Sequence, residues 1–556
     1  MLLQKKIKEE IQIILKSEFP ELTEENLKAI QVDASKSSSY GDFSTTCSLA
    51  FAKVLKKAPI LIANQIKNNL EEKLSDIYSI EVAPPGFVNF TLTNKGFNEL
   101  VKSLNKDELI EKNTDKAPIL IEYVSANPTG DLHMGHGRGA VVGSALASIV
   151  KATGRQVGTE FYINDAGEQI QKLGQTAWSL YSKEPSQSDQ YPPELVEPYT
   201  KDLKEGLSFD ELTELVKNKI LEKQKKVLSS LKVNFDRWIS EKNDLHNNGK
   251  LTGALNKLKE ANLTYSKDEA LWFKSTDLGD ERDRVLVKSD GRATYLAGDI
   301  AYHLNKFERY EEALNLWGAD HQGQEVSMQV ALKALGNNPD KFQILFIQFV
   351  SLVENGQELK MSKRQGTLIT IEEVLEKVGP DAFRFFLLLS HVNNRLAFDL
   401  DLALRTDDQN PVFYVQYAHA RACSILRNAT TSQVDGEEAI CSIDEIDNAV
   451  ESEEIFNKCF DEKLSEQEIQ ATKNLILKLS FFNDEIQRSA DNLNPSGVAH
   501  YLIDLANLFH SFYSHCRVLD YENKTLTLAR LSLIRAFQRI LKTGLETLLI
   551  TAPERM

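Results

Sequence analysis

Apolar positions in this chain change period twice along its length. From Leu3 to Leu15 they fall at helical spacing. The block Tyr40-Gly41-Asp42-Phe43-Ser44-Thr45-Thr46 then leads into a helix through Leu55, a further helix follows Pro59, and the Pro/Gly turn in Val82 to Gly86 enters an alternating strand ending at Leu92. Residues 1–113 therefore read as a small α+β unit. Past the polar stretch Lys112 to Lys116, an apolar run from Ile119 to Val124 opens a βα pattern. A small-residue helix from about His136 to Thr153 ends at Gly154, and Val157 to Ile163 is a second strand. Gly139, Ala140, Gly143 and Ala147 share one helix face, which lets it lie close to a sheet. Strand, helix, strand is the start of a doubly wound nucleotide-binding half.

The stretch Lys183 to Tyr199 is rich in proline and serine, and Ser208-Phe209-Asp210-Glu211 makes a capping box for a long helix to Leu231. Residues 183–280 read as an insertion. The pattern resumes with a hairpin, Arg284 to Lys288 and Ala293 to Leu296, then a helix, a strand from Leu314 to Trp317, a helix from Gln324 to Leu335 and a strand from Phe342 to Val353. After Asn410 the strand signals stop. Pro411 to Asn428, Ser465 to Phe482, Pro495 to Tyr513 and Thr525 to Leu549 are helical patterns, with the acidic stretch Thr430 to Asp447 as a loop. The expected architecture is α/β and multidomain: an α+β unit at 1–113, a doubly wound parallel nucleotide-binding domain at 114–410 carrying the insertion, and an all-α bundle at 411–556.

Composition changes this picture little. With 42% apolar and 26% charged residues, the 556-residue chain is an ordinary globular protein too long for one core. No apolar run approaches the roughly 18–20 residues of a membrane span, so no membrane association is expected. The N-terminal segment lacks an apolar core with a small-residue cleavage site, and cytoplasmic residence is expected. Five scattered cysteines without a C-x-x-C pair argue against a disulfide framework or a cysteine zinc site. A net charge of −16 counts against a general nucleic-acid binder, so any RNA contact rests on local basic patches.

Candidate chemistry sits where the first strand hands over to its helix, in Ala126-Asn127-Pro128-Thr129-Gly130-Asp131-Leu132-His133-Met134-Gly135-His136. Two imidazoles at a helix N-terminus suit phosphate. Far downstream, Lys360-Met361-Ser362-Lys363-Arg364-Gln365-Gly366 is a short cationic loop with a hydroxyl and a glycine exit. Gly135, Gly137, Gly139 and Gly143, with Glu160 about twenty residues on, also suggest a dinucleotide fingerprint, but the glycine spacing is one residue too long and eight residues separate strand from glycines. No Walker A sequence is present.

The pair of motifs resembles the HIGH and KMSKS signatures of class I aminoacyl-tRNA synthetases. The flanking blocks Tyr162-Ile163-Asn164-Asp165-Ala166-Gly167, Trp317-Gly318-Ala319-Asp320-His321 and Ala552-Pro553-Glu554-Arg555-Met556 are similar to those of the bacterial-type arginyl-tRNA synthetase family. The resemblance implies attack of the arginine carboxylate on the α-phosphorus of ATP, then transfer of the acyl group to the terminal adenosine of tRNA(Arg). Such a step needs alignment and charge neutralisation rather than a general base. It further implies His133, His136, Lys360 and Lys363 as catalytic groups, with Gly135, Gly137, Met361 and Ser362 at ATP. Glu122, Asn127, Tyr295, Asp299, Asp320 and His321 would receive arginine, carboxylates matching the guanidinium fork. Against this, Glu122 also reads as an edge-strand charge and Asp299 as a surface acid. Tyr414, Tyr417, His419 and Arg421 would stack and pair with tRNA, although for Tyr417 a core position weighs equally. ATP with Mg²⁺ is expected as substrate, without structural zinc, in a monomer. Three positions depart from the family pattern: Asp131 stands where proline is usual, Gln322 where a second histidine is usual, and Gln365 where alanine is usual.

Overall fold

The computed structural model describes residues 2–35, 40–105, 108–183, 190–201, 203–359, 369–431 and 439–556, with the side chains of 2–3, 34 and 320–322 outside that description. At its centre five parallel strands form one sheet: β1 (Ile119–Glu122), β2 (Val157–Ile163), β3 (Arg237–Ser240), β4 (Glu312–Gly318) and β5 (Phe342–Ile347), in the order β5-β4-β1-β2-β3. The order reverses between β1 and β4, and in open α/β sheets ligands enter the crevice at that point, beyond the carboxyl ends of the strands.

Helix α1 (Met134–Ala152) packs on the sheet through small residues. A Cβ at Gly143 would lie 2.3 Å from the Tyr123 ring, so only glycine permits this approach. Arg138, fully buried on the same helix, donates to the carbonyls of Gln348 (3.0 Å), Asn394 (2.7 Å) and His391 (2.9 Å). These bonds satisfy a charge that burial would otherwise make costly.

The stretch expected as an insertion supplies more than that. It contains α2 (Phe209–Ser230), capped by Ser208 and Glu211 as the sequence predicts, but also β3, whose residues pair in parallel with Glu160 to Ile163. Residues 237–240 therefore belong to the central sheet. The expected hairpin forms only at its turn, where Ala293 bridges Val287 and the Thr294 N–H donates to the Leu286 carbonyl (2.9 Å); Tyr295 and Leu296 instead open α3 (Tyr295–Phe307), which Thr294 caps, and Arg284–Val287 pairs along its length with Ala270–Phe273. The run Phe342 to Val353 divides at Gln348 and Phe349; its second half, Val350–Glu354, pairs with Leu396–Asp399 in a separate sheet. After residues 360–368, which lie outside the description, the chain resumes into α4 (Ile371–Leu388), kinked at Gly379 and Pro380.

The first hundred residues form a four-stranded antiparallel sheet with the helices Leu2–Glu18, Pro59–Leu74 and Asn94–Leu104. The last part is helical from α5 (Pro411–Thr430) to Lys524–Thr547. Within the stretch expected as an acidic loop, Ile443–Ala449 is a helix, because Ser442 and Glu445 form a reciprocal cap and its first-turn acids suit the helix dipole. The first unit rests on the last: the Phe43 and Phe481 rings lie 5.9 Å apart, and Glu111 N–H donates to Asn483 Oδ1 (2.7 Å). Among the described residues no helix is long and apolar enough to cross a membrane.

Candidate active site

The turn after β1 holds Val124 and Ser125 at positive φ, 71° and 42°. Such a conformation costs on the order of 1–3 kcal/mol per residue and persists only where the surroundings impose it. Here Ser125 Oγ donates to Glu122 Oε1 (2.7 Å) and accepts from the Tyr162 backbone N–H (3.2 Å). Eight residues on, His133 caps α1: its Nδ1 accepts from the Gly135 N–H (3.2 Å), while His136 Nδ1 accepts from the His133 N–H (3.3 Å). The two rings stack with centroids 3.8 Å apart. Because both Nδ1 atoms accept, the neutral rings carry their protons on Nε2, as donors at a helix mouth that already favours anions.

Two adjoining cavities open on this turn. The first, about 420 Å³, is lined by Glu122, Glu241, Asp299, Tyr162, Tyr295 and Trp317 among others. The second, about 460 Å³, is lined by His133, Gly135, His136, Gly139, Gln348 and Phe349 among others. Ser125, Asn127, Gln169, Trp317 and Gly318 line both. One cavity is acidic, the other neutral with a helix mouth at its floor.

The acidic cavity is built on a buried network. Lys306, without exposed surface, is paired with Glu122 and donates to Asn315 Oδ1 (2.7 Å). His303 donates through Nδ1 to the Asp299 carbonyl (2.7 Å) and accepts at Nε2 from Asn315 (2.9 Å). Burial, reinforced by Lys306, pushes its pKa well down, so the ring is neutral. Burial also raises the Asp299 carboxyl, which Glu122 and Glu241 push further, to about 7. Glu241 is likewise raised, mainly by burial, although a hydrogen bond from Tyr162 opposes the shift. A site with more carboxylates than internal cations favours a cationic ligand.

Among the sequence candidates, Glu122, Asn127, Tyr295 and Asp299 come together in the first cavity, and His133, Gly135 and His136 in the second. Gly137 does not join them. It is buried, and a Cβ there would lie 2.8 Å from the Phe383 ring, so this glycine serves packing against α4, while Gly139 lines the cavity instead. Lys360, Met361, Ser362 and Lys363 lie outside the described residues, as do the side chains of Asp320 and His321. The chain beyond the first group returns to the site: Ile371 N–H donates to the Leu132 carbonyl (2.9 Å), and Thr370 forms a bridge with His133.

Sequence reasoning missed Glu241, Tyr162, Phe349 and the His303–Lys306 network. A signal existed for part of it, since Tyr295, Asp299, Tyr302, His303 and Lys306 recur at one helical face. Glu241 follows β3 in a wide i→i+5 turn, a geometry often found at functional sites, within residues read as an insertion. On α5, Tyr417 is 39% exposed, its ring parallel to that of Phe413 (6.3 Å) and near His510 (6.0 Å), and the Arg421 guanidinium sits 4.1 Å from the Tyr513 ring centroid. His419 departs from expectation: it is fully buried, its Nδ1 donating to the Pro553 carbonyl (2.8 Å), so it anchors the C-terminal segment rather than facing solvent.

The fold and the helix-mouth site define a class I aminoacyl-tRNA synthetase. Residues 99–385 match the class I (R) tRNA synthetase catalytic domain, residues 1–92 the arginyl tRNA synthetase N-terminal domain and residues 415–556 the DALR anticodon-binding domain. The fold is shared by methionyl-tRNA synthetase of Mycobacterium tuberculosis (TM-score 0.56, 12% identity, 78% of this chain and 92% of that one). It is shared over the full length of both chains by arginyl-tRNA synthetase of Thermus thermophilus (TM-score 0.76, 24% identity over 100% of each). In sequence the chain is 39% identical to arginine–tRNA ligase of Shouchella clausii over 96% of both, and 38% identical to arginine–tRNA ligase 1 of Halalkalibacterium halodurans over 100% of this chain and 99% of that one. The chain belongs to the arginyl-tRNA synthetase family, ligases that activate arginine with ATP and join it to tRNA.

Proposed function

We propose that arginine lies in the acidic cavity with its guanidinium among Glu122, Asp299 and Glu241, and that ATP lies along the mouth of α1. The observation that carries this reading is the wall of Ser125, Asn127 and Gln169 common to both cavities, which lets the carboxylate of a cationic amino acid meet a nucleotide α-phosphorus. The amino-acid carboxylate attacks that phosphorus, pyrophosphate leaves, and the Nε2 protons of His133 and His136 meet the developing charge on the phosphate oxygens. Lys360 and Lys363, with Met361 and Ser362, are assigned to the triphosphate on the family resemblance, supported by the anchoring of Thr370 and Ile371 beside His133. Gln348 and Phe349 face the same cavity and suit the base.

The described lining of the nucleotide cavity holds no carboxylate, so Mg²⁺ fits this site as an ion carried on ATP phosphates rather than in a protein cage. The arginyl group then passes to the terminal adenosine of tRNA(Arg), first to its 2′-hydroxyl, and activation depends on bound tRNA. Residues 1–113 would meet the tRNA body and residues 411–556 the anticodon, with Tyr414, Tyr417 and Arg421 as stacking and phosphate groups. The assigned division, 114–410 between them, and a cytoplasmic monomer complete the reading. Pyrophosphate exchange over twenty amino acids, with and without tRNA(Arg), tests it: exchange with arginine alone among them, and only with tRNA, is expected. Exchange driven by lysine, or undiminished without tRNA, would overturn the corresponding part.

A further inference from the structure

Asp131, in the loop two residues before His133, makes contacts with two other elements. Its carboxylate accepts from the Tyr199 hydroxyl (2.5 Å) and pairs with Lys223 on α2 (2.9 Å). The same Lys223 ammonium reaches Glu372 in the first turn of α4 (3.1 Å). One turn of α2 thus touches the loop that delivers His133 and the helix that follows residues 360–368. Beside it Gln224, 2% exposed, donates to the carbonyls of Asn127 (3.1 Å) and Gly130 (2.8 Å), holding that loop to α2.

We propose that Lys223 is a positioning residue for adenylate formation, its ammonium bracing the register that the Leu132–Ile371 backbone bond sets between the His133 loop and α4, by bridging Asp131 and Glu372. Gln224 binds the loop to α2 alone; Lys223 adds a side-chain link from α2 to both the loop and the first turn of α4, which the Leu132–Ile371 backbone bond joins directly. Lys223 and Asp131 are each about a third exposed, so the pair adds little to stability, and its effect falls on geometry. Small displacements of aligned groups cost rate far more than they cost binding. Asn127 and Glu122, which face arginine, stay held by Gln224 and Ser125 when Lys223 is altered.

The inference rests on the proposed phosphate role of His133, and the test separates the two. In pyrophosphate exchange with arginine, Lys223→Met should lower kcat by about tenfold and leave KM for arginine within about twofold, while Lys223→Arg recovers most of the rate. Asp131→Asn in the Lys223→Met background should add nothing further, the mark of a shared interaction. Unchanged kcat in Lys223→Met, or a fall in kcat and in urea midpoint that Lys223→Arg does not rescue, would overturn the proposal. His133→Ala serves as the reference. If it keeps full exchange, the phosphate-site reading fails; if it abolishes exchange while Lys223→Met leaves kcat unchanged, only the role of Lys223 fails.

Discussion

The proposed contact of Asp299 with arginine would link pH to substrate through a single carboxyl. Burial, then Glu122 and Glu241, hold its pKa at about 7 against an ordinary 3.8. Folding therefore favours its protonated form, and this contribution to stability is lost as pH rises from about 4 to about 7. A guanidinium reverses the preference. Arginine affinity should rise with pH up to about 7 and flatten above it, with a proton released on binding below that pH. Calorimetry in two buffers of different ionisation enthalpy reads that proton, and Asp299→Asn should abolish most of the slope; a slope unchanged in the variant would count against this assignment. Lys306 belongs to the same site but acts on the fold. Removing its ammonium in Lys306→Met leaves Glu122 buried without its partner, a loss of about 3–5 kcal/mol in urea denaturation. A loss under about 1 kcal/mol would mean that Glu122 takes a proton or reaches water instead.

Elements were legible where one period ran unbroken between clear end signals. The helix of residues 209–230 follows from its capping box, and α1 from its small residues and the glycine beyond it. Short segments were not, because local signals there compete and tertiary pairing decides. Ala293 pairs with Val287 as the expected hairpin requires, yet the Thr294 cap starts a helix at Tyr295; Phe342 to Val353 is one apolar run, yet Arg138 binds the Gln348 carbonyl at the point where it parts into two sheets. Arg237–Ser240 is only four residues long and shows its place solely through pairing with β2. The close approach of α1 to β1 yields a prediction at this scale. Gly143→Ala forces a methyl into the Tyr123 ring and should cost about 1–3 kcal/mol by overpacking, with pyrophosphate exchange falling as the helix mouth shifts. A variant with unaltered stability would show that the helix has room to move.

Across the whole molecule, buried arginines join the units. Arg384 on α4 donates to the Leu548 carbonyl (3.0 and 3.2 Å), the Leu231 carbonyl (2.8 Å) and Ser144 Oγ (3.1 Å), tying α1, the end of α2 and the end of the last helix together. Arg384→Met should cost on the order of 3 kcal/mol and split the thermal transition into separate steps; a single unshifted transition would refute that linkage. Tyr417 stands far along the chain from the reaction site, on an exposed aromatic cluster. Tyr417→Ala should raise KM for tRNA about tenfold, from about 1–3 kcal/mol per stacked base, and leave tRNA-saturated exchange unaltered. Equal KM values would place the anticodon elsewhere. By itself the sequence determined the three-part architecture, the helix-mouth histidines and the family, since these reside in local periodicity and in motifs whose neighbours lie beside them in the chain. Tertiary structure alone decided that Glu241 faces Asp299, that Lys306 neutralises Glu122 from beneath, that Gly137 and His419 face inward, and that Asp131 meets Lys223. Those are contacts between residues tens to hundreds of positions apart, and burial and pairing at such separations depend on how the elements pack, which no local pattern encodes.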